Sequence, residues 1–271
     1  MQDANPCSRP PAPHGSRRPF ARYQPTAVGL LCVALTAPRA LGGQGLPVST
    51  PGDLLASDPR RFIQFLEAGR PARVSDELKA RILQGLPPEG EVTDLDGAAR
   101  KRLAALGPLL RATGRDGVYT VKVIDVPQAA VSLHARVVLL VSQPALRLLG
   151  AEELQALVAH EVGHEYVWAD WERASTARDH ARLRELELLC DGIAVVTLHG
   201  LGIDPAHLIA GLEKLGRFNQ RWFAGAIRNV GDYPTEKQRR EFVRAAGAWV
   251  ARRESQATEP QASSSVRGRP R

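Results

Sequence analysis

The chain has 271 residues, 44% of them hydrophobic and only 5% aromatic, enough for one substantial domain with an aliphatic, largely helical core. Its net charge of +7 lies at the two ends, with +4 in residues 1–40 and +3 in residues 252–271. The 41–251 stretch is therefore neutral, and a nucleic-acid-binding face on the fold is not expected.

Residues 1–40 read as an export signal. Ser16-Arg17-Arg18-Pro19-Phe20 precedes an apolar run from Ala27 to Ala37, too short for a span of roughly 20 residues. A basic flank before a short apolar run is the signal-peptide pattern, and the arginine pair resembles a twin-arginine signal. The expected location is periplasmic or otherwise extracytoplasmic. If the segment is retained, it becomes an N-terminal anchor and the protein associates with the membrane. Removal of this segment takes away Cys7 and Cys32 and leaves Cys190 without an intramolecular disulfide partner.

Residues 52–115 form the next unit, a helical segment. Phe62, Ile63, Phe65 and Leu66 share one face, and Asp96 caps a helix carrying Leu103, Leu106, Leu109 and Leu110. Residues 116–251 form the main domain. It opens on two strands, Tyr119–Val126 and Arg136–Ser142, separated by a break at Pro127. Beyond Ala151 the chain is helical, with an interruption at Gly200-Leu201-Gly202. Asp204 is the next N-cap, and Thr235 with Gln238 opens a last helix through Val250. Residues 252–271 are a disordered tail.

Chemistry concentrates at His160-Glu161-Val162-Gly163-His164. Four residues apart on a helix, the two imidazoles lie on one face about one turn from each other, so both can meet one Zn2+ ion. Glu161 is then placed to take a proton from a water activated by the metal. A third ligand is needed, and a later helix offers Glu187, with Asp191 four residues on and on the same face. Asp191 lies among apolar residues, where a carboxylate needs a partner, and a ligand imidazole N–H would serve. Glu185 turns about 200° away from Glu187, toward Arg182. His180, His199 and His207 read as surface or helix-end residues, Cys190 as a small buried hydrophobe, and Trp168, Trp171 and Trp222 as packing residues.

His160-Glu161-x-x-His164 followed by Glu187-x-x-x-Asp191 resembles the gluzincin zinc metallopeptidases, which include the CAAX prenyl endopeptidases, the HtpX heat-shock peptidases and periplasmic relatives. The similarity extends over about residues 115–245. Residues 123–140 are similar to the family's strand–turn–strand ahead of the metal helix, and Tyr233-Pro234-Thr235 with Arg239 resembles its His-Pro-Ser…Arg element. The resemblance implies an α+β, mainly helical, zincin-like domain with a small sheet above the HExxH helix. It implies an endopeptidase with zinc on His160, His164 and Glu187, catalysis by Glu161, and supporting roles for Asp191, Tyr233 and Arg239. Its partner would be a protein or peptide substrate in the cell envelope. This chain has Gln128 where the family has Asn, and Tyr233 where it has His. The alternative expectation is a zinc-binding, chaperone-like or autoinhibited protein with little turnover.

Overall fold

A computed structural model describes residues 46–86, 90–223 and 231–258; residues 1–40, read above as an export signal, and most of residues 252–271 lie outside them. The described chain is mainly helical with one small sheet. Three short helices come first: α1 (Pro51–Ala56), α2 (Pro59–Ala68) and α3 (Asp76–Gly85). Each starts where a side chain satisfies an orphan amide. Thr50 and Asp53 form a capping box on α1, Asp58 accepts from Arg60 N on α2, and Ser75 accepts from Leu78 N on α3. The expected helix after Asp96 is present but breaks at Ala105 into α4 (Gly97–Ala104) and α5 (Leu106–Ala112).

The sheet has three strands, β1 (Thr120–Ile124), β2 (Val131–His134) and β3 (Val138–Ser142), in the order β1-β3-β2. β1 runs parallel to β3, and β2 antiparallel to it. Two strands were expected here, so β2 is an addition. It is only four residues long and follows Pro127 closely, which hides its alternation in the sequence. Arg136, read as the start of a strand, instead lies in the β2–β3 turn. Ala135 and Arg136 both have positive φ, 47° and 61°, as the central residues of a tight turn closed by the Val137 N–H donating to His134 O at 3.1 Å, with Val137 as the extra residue before β3.

α6 (Gln143–Leu148) leads into two long helices packed on each other, α7 (Ala151–Ala177) and α8 (His180–Gly200), followed by α9 (Ala206–Phe223) and α10 (Glu236–Thr258). α10 thus continues past Val250, the end read from the sequence. Thr235 and Gln238 bond each other's backbone and side-chain groups as its capping box. α7 and α8 form the centre of the core. Leu154, Val158 and Val162 of α7 and Leu186, Leu189 and Ile193 of α8 belong to one buried cluster, and Leu157 of α7 lies against Gly211 of α9. Each such side chain contributes about 1.5–3 kcal/mol on leaving water. Where the helices come closest, Gly163 lies against Cys190: a Cβ on Gly163 would sit 3.0 Å from Cys190 Cα and 3.1 Å from its carbonyl oxygen. α2 and α10 close the other side of this core, with Phe62 edge-on to Trp249 at 6.1 Å. Cys190 is fully buried, as expected, whereas Trp222 is 61% exposed and is not a packing residue. No helix among the described residues is long and apolar enough to cross a membrane.

Candidate metal centre

α7 carries His160 and His164 on one face, and their rings stand nearly perpendicular with centroids 4.9 Å apart. The two Nε2 atoms are 3.2 Å apart. α8 delivers Glu187 to both: its Oε2 is 3.4 Å from His160 Nε2 and its Oε1 is 3.6 Å from His164 Nε2. One turn on, Asp191 Oδ1 lies 2.8 Å from His160 Nδ1, which turns the ring's Nε2 toward the other two groups. Donors about 2.0–2.1 Å from a tetrahedral zinc ion stand about 3.4 Å from one another. Two imidazole nitrogens and a carboxylate at 3.2–3.6 Å therefore fit zinc in both chemistry and spacing.

Glu161 belongs to the same cluster, since the ligand atoms of His160, Glu161 and His164 all lie within 4.8 Å of one another. Its Oε2, however, accepts the backbone N–H of Leu133 on β2 at 2.8 Å. The strand thus holds this carboxylate beside the histidines on the side opposite α8. Glu185 points elsewhere and pairs with Arg182 at 2.9 Å. From α10, buried Arg239 hydrogen-bonds Glu187 and lies 3.6 Å from Asp191 Oδ1. Tyr233 is half-exposed, at 52%. Burial of its hydroxyl side and the charges of Glu187 and Glu161 push its phenol pKa above the usual range.

The electrostatics follow from packing these charges into little water. Burial disfavours a charged His160, but hydrogen bonds and charge from Asp191 and Glu187 outweigh it and raise the pKa to about 10. His164, buried without such a partner, falls to about 4 and stays neutral. Burial opposes ionisation of Glu187 too, yet the hydrogen bond to His160 and the charge of Arg239 hold it well below the ordinary carboxylate range. Burial lifts Glu161 to about 7. The cluster is thus a cation-seeking set of donors beside a carboxylate poised to exchange a proton near neutrality.

One group of residues was not read from the sequence. Glu165, next to His164, is buried with Arg115 Nε at 2.5 Å, the Tyr119 hydroxyl donating at 2.8 Å and Arg136 Nε at 3.6 Å. The two arginines also donate to the carbonyls of Pro71 and Ala72. The metal helix, the β2–β3 turn and the start of β1 are tied at one carboxylate. Its trace in the sequence is faint: a glutamate between His164 and Tyr166-Val167, on a helix otherwise apolar there. No family model matches the chain, and no curated protein matches it.

Proposed function

We propose that the protein is a zinc-dependent endopeptidase with a zincin-like domain of the gluzincin type. The observation that carries this reading is the meeting of Glu187 with both histidine Nε2 atoms while Asp191 engages the far nitrogen of His160. That is a three-ligand set with an outer carboxylate orienting one ligand. Among these residues His160, His164 and Glu187 would hold the ion, and Asp191 and Arg239 would keep His160 and Glu187 in place. When bound, zinc would polarise a carbonyl and make a neighbouring water acidic. Glu161, with its pKa raised to about 7, accepts the proton of the attacking water and returns it to the leaving amine. The Leu133 N–H keeps Glu161 oriented toward the histidines. Tyr233 lies near enough for the charges of Glu187 and Glu161 to raise its pKa, and its phenol, kept protonated, can donate to an oxygen on which charge develops.

The basic N-terminal segment and the contact of Glu161 with the strand β2 fit a protein acting on polypeptides in the cell envelope. The test uses residues 41–271, purified and loaded with zinc, on unfolded casein. Cleavage should stop with a chelator and return with added zinc. Glu161→Gln should retain the metal and lose about 10²–10⁴-fold in turnover. Casein left intact by a folded chain carrying one zinc would instead support the chaperone-like alternative.

A further inference from the structure

The outer edge of β2 is occupied at both ends by side chains from helices. Ser142 donates its N–H to Ala130 O at 2.9 Å, and Val131 faces Val141 in the register. Hydrogen-bonded and outward-facing residues alternate along an antiparallel pair, so Ala129, Val131 and Leu133 turn their backbone groups away from β3. The Leu133 N–H goes to Glu161. Four residues back, Ala129 is engaged twice by Asn219 of α9: its N–H donates to Oδ1 at 2.9 Å, and its carbonyl accepts from Nδ2 at 2.9 Å. A carboxamide that accepts from a residue's N–H and donates to its C=O reproduces the two bonds an opposing strand residue would make. Asn219 therefore stands in for the next residue of a fourth strand. Between it and the Glu161 contact, only Val131 presents both backbone groups outward.

We propose that Asn219 is a length stop for the peptide site, closing the row of backbone positions on β2 that an extended substrate can use. This rests on the peptidase reading above. A polypeptide lying along β2 pairs with the Leu133 carbonyl and with both backbone groups of Val131, and has to leave the strand before Ala129. Antiparallel pairing, the more stable arrangement per residue and the one β2 makes with β3, sends the C-terminal side of the substrate toward Asn219. Ala129 lies four residues from Leu133, about 13 Å along a strand. Backbone recognition thus ends roughly three residues beyond the cleaved bond, and the polypeptide turns into solvent or along α9 from there. A long unfolded chain is still accepted, because only its pairing, and not its length, is limited.

The test compares the full chain with its Asn219→Ala variant on peptides sharing one cleaved bond, lengthened by one to six alanines on the C-terminal side. In the unaltered protein kcat/KM should rise over the first two or three added residues and then level. In Asn219→Ala it should keep rising for two more residues, by about 3- to 10-fold, the effect of one further backbone hydrogen bond. Lengthening the N-terminal side should affect both proteins alike. Asn219→Asp keeps an acceptor for the Ala129 N–H and loses only the donor, so it serves if the alanine variant fails to fold, and should move the plateau by a smaller amount. The same peptides, fluorescently labelled and titrated into a Glu161→Gln background, report the plateau as affinity without turnover. A plateau at the same length in every Asn219 variant, or one governed by the N-terminal side, overturns the length stop while leaving the peptidase reading intact. Zinc-loaded protein that neither binds nor cuts any peptide removes both.

Discussion

The choice of Glu187 over Glu185 shows how far single residues carry the account. Two positions on a helix differ by about 200°, and the embedded Asp191 identifies which face turns inward. The structure places Glu187 on the histidines and Glu185 on Arg182. Glu187→Ala should abolish tight zinc binding, measured by competition with a chromophoric chelator. Asp191→Ala should weaken it about 10–100-fold, and Glu185→Ala should leave it unchanged. Zinc lost on changing Glu185 but kept on changing Glu187 would show that the helix faces are assigned wrongly. The same site predicts a pH dependence. His160 has its pKa raised to about 10 in the metal-free protein, so near neutrality it holds a proton that zinc has to displace. Below that pKa, affinity should rise about tenfold per pH unit, with about one proton released per ion bound at pH 7. Calorimetry in buffers of different ionisation enthalpy reads that proton directly, and a pH-independent affinity between pH 6 and 8 would contradict it.

At the scale of elements, the α7–α8 contact determines where Glu187 stands relative to His160 and His164. Gly163 stands between the two histidines, and side-chain bulk there is excluded by a second helix that the sequence does not display. With Cys190 Cα at 3.0 Å from a would-be Cβ, Gly163→Ala has to push α8 away, carrying Glu187 and Asp191 with it. Overpacking of this kind costs about 1–3 kcal/mol, and zinc affinity should fall alongside thermal stability. Gly200→Ala, with nothing within 4 Å of the added methyl, is the matched control and should leave both unchanged. Equal behaviour of the two variants would remove the close approach from the account. The helices themselves were legible because caps and apolar stripes are local: Asp96, Asp204 and Thr235 all accept the amides expected of them. β2 was not legible. Four residues are too few to show a period, and its register depends on the Ala135-Arg136 turn and on β3. The Glu165 cluster escaped for the same reason, since Arg115, Tyr119 and Arg136 meet it only once the sheet is laid on α7.

For the whole molecule, the candidate centre is where separate parts of the chain converge: α7 and α8 supply the ligands, β2 holds Glu161, and α10 supplies Arg239. The motif was visible as a string, and so was the pairing of Glu187 with Asp191; the support from β2 and α10 is a property of the folded chain. A bound ion joining α7 to α8 stabilises only the folded state, by about 2.7 kcal/mol when free zinc is 100 times its Kd. Chelation should therefore lower the midpoint of thermal unfolding, and the midpoint of His160→Ala should not respond to zinc or chelator, lying at or below the chelated value because buried Asp191 loses its partner. An unfolding midpoint indifferent to zinc would argue that the metal is not held where the helices meet. The most direct measurement is a crystal of the zinc-equilibrated protein with diffraction recorded on both sides of the zinc absorption edge. One anomalous peak should appear, bonded to His160 Nε2, His164 Nε2 and a Glu187 oxygen, with Glu161 near it but not coordinated. No peak at this position, or one that takes Glu161 in place of Glu187, would contradict this ligand set.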